Sequence, residues 1–117
     1  MAVGGRMTIT LEDFARIDIR IGTIVAAAPN PAARKPAYRL EIDFGPELGR
    51  RTSSAQLTAN YRAEDLPGRQ VAAVLNFPPR RIAGVVSEVL VLGFPDGKGE
   101  VVLVGVDRAV PNGGRLY

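Results

Sequence analysis

Ile17-Asp18-Ile19-Arg20-Ile21 alternates apolar and charged residues without a break. That is the period-2 pattern of a strand with one buried face, and Gly22 is placed to supply a bulge before Thr23-Ile24-Val25. Immediately upstream the period is helical. Thr10 to Arg16 reads TLEDFAR, with Thr10 able to cap, Asp13 at the capping-box position and Leu11, Phe14 and Ala15 on one face. Glu12 and Asp13 fall in its first turn, where the helix dipole favours acidic side chains.

Alternation returns at Tyr38 to Phe44 and stops at Gly45-Pro46, predicting a second strand. Between the two, Pro29, Pro31 and Pro36 bracket a loop that carries Arg34 and Lys35. Thr52 to Leu57 is polar but β-compatible and is expected to pair with the second strand through the Gly45 to Gly49 turn. Ala63 to Leu66 is at most one helical turn, closed by Pro67-Gly68 as a type II turn. Val71 to Phe77 is an apolar run of strand length, expected to be central. Val85 to Phe94, the Asp96-Gly97-Lys98-Gly99 turn and Val101 to Val106 predict a hairpin. Five or six short strands with one N-terminal helix point to a small β-barrel or sandwich, and a five-stranded OB-like barrel fits the count.

Composition narrows the function more than the fold. The 117 residues suit one domain, with residues 1–9 expected to be flexible. Thirteen arginines stand against two lysines at a net charge of +3. Guanidinium groups suit phosphate and stack on bases, so the composition permits RNA binding, while codon bias explains the imbalance equally well. The chain has no cysteine and no histidine, which excludes disulfides, Cys/His zinc sites and every triad with an imidazole base. No apolar run approaches the length of a membrane span and the first ten residues lack an apolar h-region, so a cytoplasmic protein that does not insert into a membrane is expected.

Candidate catalytic motifs fail on spacing. Gly93 to Lys98 has three residues between its glycines where a phosphate loop has four, and Gly99 stands where Ser or Thr belongs. Glu41 with Asp43, and Asp18 with Arg20, lie on strand faces where charged groups usually meet solvent. Ser87 and Glu88 interrupt an apolar strand, so one of them needs a partner, expected in the 76–84 loop. No catalytic residue, metal or cofactor is expected.

The segment NFPPRRIAG, Asn76 to Gly84, is the most informative stretch. Its prolines must end the preceding strand or lie at an edge, and Gly84 lets the next strand begin. Asn76, Phe77, Arg80 and Arg81 remain unexplained by that structural role. A rigid loop that presents an amide, an aromatic ring and two guanidinium groups suits stacking and phosphate contact.

Taken in order, Asp18-Ile19-Arg20-Ile21-Gly22-Thr23-Ile24, Leu40-Glu41-Ile42-Asp43-Phe44-Gly45, Ser53-Ser54-Ala55-Gln56-Leu57, NFPPRRIAG and Ser87 to Gly93 resemble the tRNA-binding domain family over roughly residues 10 to 115. Within that family the wording is most similar to the secretion-associated chaperone branch. The resemblance implies an all-β OB barrel whose terminal extensions build a homodimer. Other members are fused to methionyl-tRNA synthetases or stand free, and recognise tRNA by shape. Where they commonly carry Asn-Leu-Lys-Pro, this chain has Asn76-Phe77-Pro78-Pro79, which favours the chaperone branch.

Two functions follow as expectations. In the first, unfolded or export-destined polypeptides bind a pocket around Phe77, Pro79, Ile82 and Tyr38 beside the arginines, with the protein-export motor a further candidate partner. In the second, tRNA meets Arg34, Lys35, Arg39, Arg51, Arg80 and Arg81 through its phosphates, with Asn76 or Ser53 on a ribose or base. Leu11, Phe14, Val110 and Pro111 are expected at the dimer interface, because a barrel this small would otherwise leave them exposed.

Overall fold

The computed structural model describes residues 7–117, so most of the segment expected to be flexible lies outside the described residues. Helix α1 spans Leu11–Ala15. Thr10 caps it: its hydroxyl accepts from the Asp13 N–H, and the Asp13 carboxylate accepts from the Thr10 N–H, both at 3.1 Å. Strands β1 (Ile19–Pro29), β2 (Tyr38–Asp43), β3 (Arg50–Ala55), β4 (Gln70–Val74) and β7 (Leu90–Val91) form one antiparallel sheet in the order β3-β2-β1-β4-β7. Two hairpins complete the chain: β5 (Arg80–Ile82) with β6 (Val85–Ser87), and β8 (Gly93–Pro95) with β9 (Val101–Leu103).

The sheet coils until its edges meet, giving a nearly closed five-stranded barrel of the OB type. Closure runs through β3: the Glu88 N–H donates to the Thr52 carbonyl at 2.9 Å, and the buried Ser53 hydroxyl donates to the Val89 carbonyl at 3.0 Å. The curl begins in β1. Ile24 opposes Ile42 and Ala26 opposes Glu41, so Val25 is the extra residue of a β-bulge that bends the long strand. The bulge therefore falls at Val25 and not at Gly22. Gly22 has another reason to be glycine: a Cβ there would stand 2.7 Å from the Phe44 ring and 2.8 Å from Ile42.

Inside lie Ile24, Leu40, Ile42, Phe44, Leu66 and Val71, all essentially inaccessible to solvent. Ile19 and Ile21, the apolar members of the alternating stretch, stand on the other face of β1 from Gly22 and Ile24. The C-terminal segment covers them. Gly113 donates to the Ile21 carbonyl at 2.8 Å, Ile21 to Gly114 at 3.1 Å, and Leu116 to Ile19 at 2.9 Å, so the tail runs along β1 where β2 does not reach. Gln70 fixes the approach of this tail, donating to the Val110 carbonyl at 2.7 Å and accepting from the Val110 N–H at 3.0 Å.

Several local expectations hold. The Leu66 to Arg69 turn places Pro67 and a positive-φ Gly68 as a type II turn requires, closed by the Arg69 N–H on the Leu66 carbonyl. Asp96 organises the β8–β9 turn by accepting the N–H groups of Lys98 and Glu100. Others change. The run from Val85 to Phe94 is three short strands, because Ser87 and Glu88 turn away to bond β3. Among the described residues no helix is long and apolar enough to cross a membrane.

Candidate ligand-binding site

Pro78 and Pro79 end the β4 direction, and the chain then reverses through a tight hairpin. Ala83 (φ +48°) and Gly84 (φ +83°) sit between Ile82 and Val85 with positive φ at both positions, as a type I′ turn demands. The second half of NFPPRRIAG is thus a hairpin, where a rigid loop was expected. Its far strand, β6, is anchored to the barrel. Thr52 donates its hydroxyl to the Val86 carbonyl at 2.6 Å, and the Ser54 N–H donates to the Ser87 hydroxyl at 3.2 Å. Glu88 accepts both the N–H and the hydroxyl of Thr52, at 2.9 and 3.0 Å. Ser87 and Glu88 therefore bond β3 and not the 76–84 loop.

Hairpin and barrel enclose a groove of about 340 Å³. Phe77, Pro78, Ile82, Val89 and Leu90 make its apolar lining, with Arg80, Ser54, Ser87 and Glu88 at its margins. A second depression of about 560 Å³ adjoins it, shares Ser54 and Ile82 with it, and carries Arg34 and Lys35. The Asn30 amide touches the hairpin tip at the Ala83 carbonyl, 3.4 Å away, and so joins the 30–37 loop to the same surface. Arg39 opposes Ser54 across β2 and β3 and shares its outward face. Among the described residues, Arg34, Lys35, Arg39 and Arg80 have no ion-pair partner.

Phe77, Arg80, Ile82, Arg34, Lys35 and Arg39 are thereby brought to one side of the molecule. The remaining expected residues are elsewhere. Tyr38 is buried in the core and its hydroxyl donates to the Tyr61 carbonyl at 2.7 Å, so it cannot line the pocket. Ser53 is only 1% exposed, on the inner face opposite Leu40, and cannot reach a ribose or base. Arg51 shares that inward parity, and its Nε donates to the Leu48 carbonyl at 3.3 Å. Arg81 points to the opposite side of β5 from Arg80 and Ile82, and Pro79 is exposed without lining the groove.

Asn76 has both ends of its amide committed. Its Oδ1 accepts from the Asp18 N–H at 3.0 Å, and its Nδ2 donates to the Arg16 carbonyl at 2.6 Å. Pro78, Val89, Leu90 and Ser54 belong to the groove but were missed in the sequence. Alternation could have found Ser54 once Ser53 was assigned inward; nothing local marks the other three.

Of the expected dimer residues, Phe14 and Val110 line two shallow apolar hollows. One, of about 330 Å³, lies among Phe14, Ile17, Leu116 and Tyr117; the other, of about 300 Å³, among Ile19, Ile21, Leu92, Val106 and Val110. Leu11 is 86% exposed, and neither it nor Pro111 lines either hollow.

The family model "Putative tRNA binding domain" matches residues 19–115. Among solved structures, the chaperone CsaA of Bacillus anthracis superposes with a TM-score of 0.88 at 51% identity, covering 95% of this chain and 100% of that one. The CsaA chaperone protein of Picrophilus torridus does so at 0.86 and 45%, covering 94% and 100%. Among curated proteins, the methionine–tRNA ligase of Porphyromonas gingivalis is 38% identical over 96 residues, which is 82% of this chain and 14% of the ligase. The chain thus spans a small part of the ligases it matches and the whole of the CsaA chains. It belongs to the tRNA-binding domain family, in its CsaA-like form.

Proposed function

We propose that this chain is a non-enzymatic, CsaA-like chaperone that binds unfolded or export-destined polypeptides in the groove beneath the β5–β6 hairpin. The observation that carries the reading is Phe77. It is 53% exposed and lines, with Pro78, Ile82 and Leu90, a groove that is mostly apolar. Exposed aromatic surface around a preformed concavity is a recognition feature, since it costs solubility and adds nothing to the core. The groove has room for a side chain or two, which suits a segment of extended chain better than a compact ligand. The likeness to CsaA chaperones over their whole length supports the same reading, and a cytoplasmic setting is part of it.

Fluorescence anisotropy with a labelled unfolded-protein peptide tests it. Binding should saturate, and Phe77→Ala should weaken it about tenfold, the loss expected for removing one partly buried aromatic anchor. Unchanged affinity in a folded Phe77→Ala protein would contradict the assignment.

A second reading, tRNA binding, is favoured by one specific observation: Arg34, Lys35, Arg39 and Arg80 share a side of the barrel without carboxylate partners among the described residues. Membership of the tRNA-binding domain family supports it equally. If phosphates are the contact, affinity for tRNA must fall steeply with salt, about one counterion for each contact. Retention of tRNA independent of salt would exclude that mechanism.

A further inference from the structure

Strand β5 is paired on one edge alone. Arg80, Arg81 and Ile82 bond β6, and among the described residues no other strand joins their far edge. The far side of β6 is already occupied by β3, through Thr52 and Ser54. Pro79 before β5 and the Ala83-Gly84 turn after it confine the open edge to three residues. An unpaired edge is a template for one more strand, and it stands along the margin of the groove.

The groove is also polarised. Arg80 and Ile82 project to the groove side of β5. Any strand laid along that edge would send alternate side chains the same way. At the Phe77–Pro78 end such a side chain meets the apolar surface of Phe77, Pro78 and Leu90, with the Arg80 guanidinium at its margin. Past Ile82 it enters the adjoining depression, where Arg34 and Lys35 stand without an acidic partner among the described residues.

We infer that the site selects extended polypeptide segments in which an apolar and an acidic side chain lie two or four positions apart, the segment adding as a strand to the free edge of β5. The inference rests on the polypeptide reading above and adds sequence preference to it. The apolar side chain takes the Phe77 end and the carboxylate faces Arg34 and Lys35. An acidic residue three positions away would point to the other side of the added strand and gain nothing.

Short labelled peptides, each with one Leu and one Asp, would be titrated into the full chain at low salt. Asp at two or four positions from Leu should bind about fivefold tighter than Asp at three positions or Lys at two, the upper end for one partly exposed ion pair. The preference should vanish in an Arg34→Ala, Lys35→Ala double variant that still binds a purely apolar peptide, and N-methylation of alternate peptide amides should weaken binding. Peptides that bind without regard to spacing or charge would overturn this inference and leave the polypeptide reading standing. Failure of every peptide to bind would remove both. If the double variant loses only oligoribonucleotide binding while peptides are unaffected, the two cations serve RNA and the inference is wrong.

Discussion

The side-chain amide of Asn76 clasps the start of β1 at Asp18, accepting the Asp18 N–H at 3.0 Å while donating to the Arg16 carbonyl at 2.6 Å. One residue earlier, the Leu75 N–H donates to the Asp18 carbonyl at 2.8 Å. Asn76 thus extends the β1–β4 ladder by a side chain at the point where the backbone turns toward Phe77. Asn76→Ala is expected to cost about 1–2 kcal/mol, two hydrogen bonds at a partly solvated site, measured by urea unfolding. Affinity for peptide should change little in the folded variant. Loss of binding with full stability would show instead that Asn76 meets the ligand.

Gly22 is the narrowest point between β1 and the core. A methyl group there would come within 2.8 Å of both Phe44 and Ile42, which are themselves fully enclosed. Gly22→Ala should therefore destabilise by about 1–3 kcal/mol, the range for overpacking a filled core. Equal midpoints for variant and wild type in denaturant would mean that the core yields more easily than its packing indicates.

Asp96 makes the β8–β9 turn sensitive to acid. The hydrogen bond from Asn60, and then those from the N–H groups of Lys98 and Glu100, hold its carboxyl below the usual carboxylate range. With the folded value depressed, the stabilisation is complete above about pH 4 and is lost as pH falls through that lower folded value. Asp96→Asn should lower the thermal midpoint slightly at pH 7, and the gap to wild type should shrink on acidification toward pH 3. A gap that is constant with pH would contradict this.

A homodimer through α1 and the C-terminal segment would cover Leu11, Ile17, Val110, Leu116 and Tyr117, all of them exposed in the single chain. Sedimentation at micromolar concentration is expected to give twice the chain mass, and Leu116→Arg should shift it toward monomer by placing an unpaired charge against apolar surface. Only monomer at that concentration would sink the dimer.

The regular parts of the fold were legible because local chemistry and tertiary packing agree there. Thr10 and Asp13 make both bonds of the capping box, Pro67-Gly68 takes the turn its residues favour, and Asp96 closes the hairpin it announces. The β5–β6 hairpin was hidden because Ala83-Gly84 is not among the dipeptides that mark a type I′ turn; Ala83 accepts a positive φ that Asn would take more readily. Single-strand alternation also could not say which face is core. Ile19 and Ile21 look inward by pattern, yet Gly22 and Ile24 hold that side, and the C-terminal tail, distant in sequence, covers the isoleucines. At the site, Phe77, Arg80 and Ile82 were readable from their setting. Tyr38 was misplaced although its alternation with Leu40, Ile42 and Phe44 already puts it on the buried face. Ser53 and Arg51 were misplaced because the parity of the polar β3 depends on its register against β2, which its own residues do not encode.

The most direct test of the groove as a polypeptide site is to follow backbone amide resonances of the labelled chain while an unfolded peptide is added. The account predicts shifts concentrated at Phe77, Arg80 to Ile82, Ser54 and Leu90, with the α1 and Leu116 side unchanged. Shifts confined to Phe14, Ile17 and Leu116, with the groove silent at saturation, would contradict it.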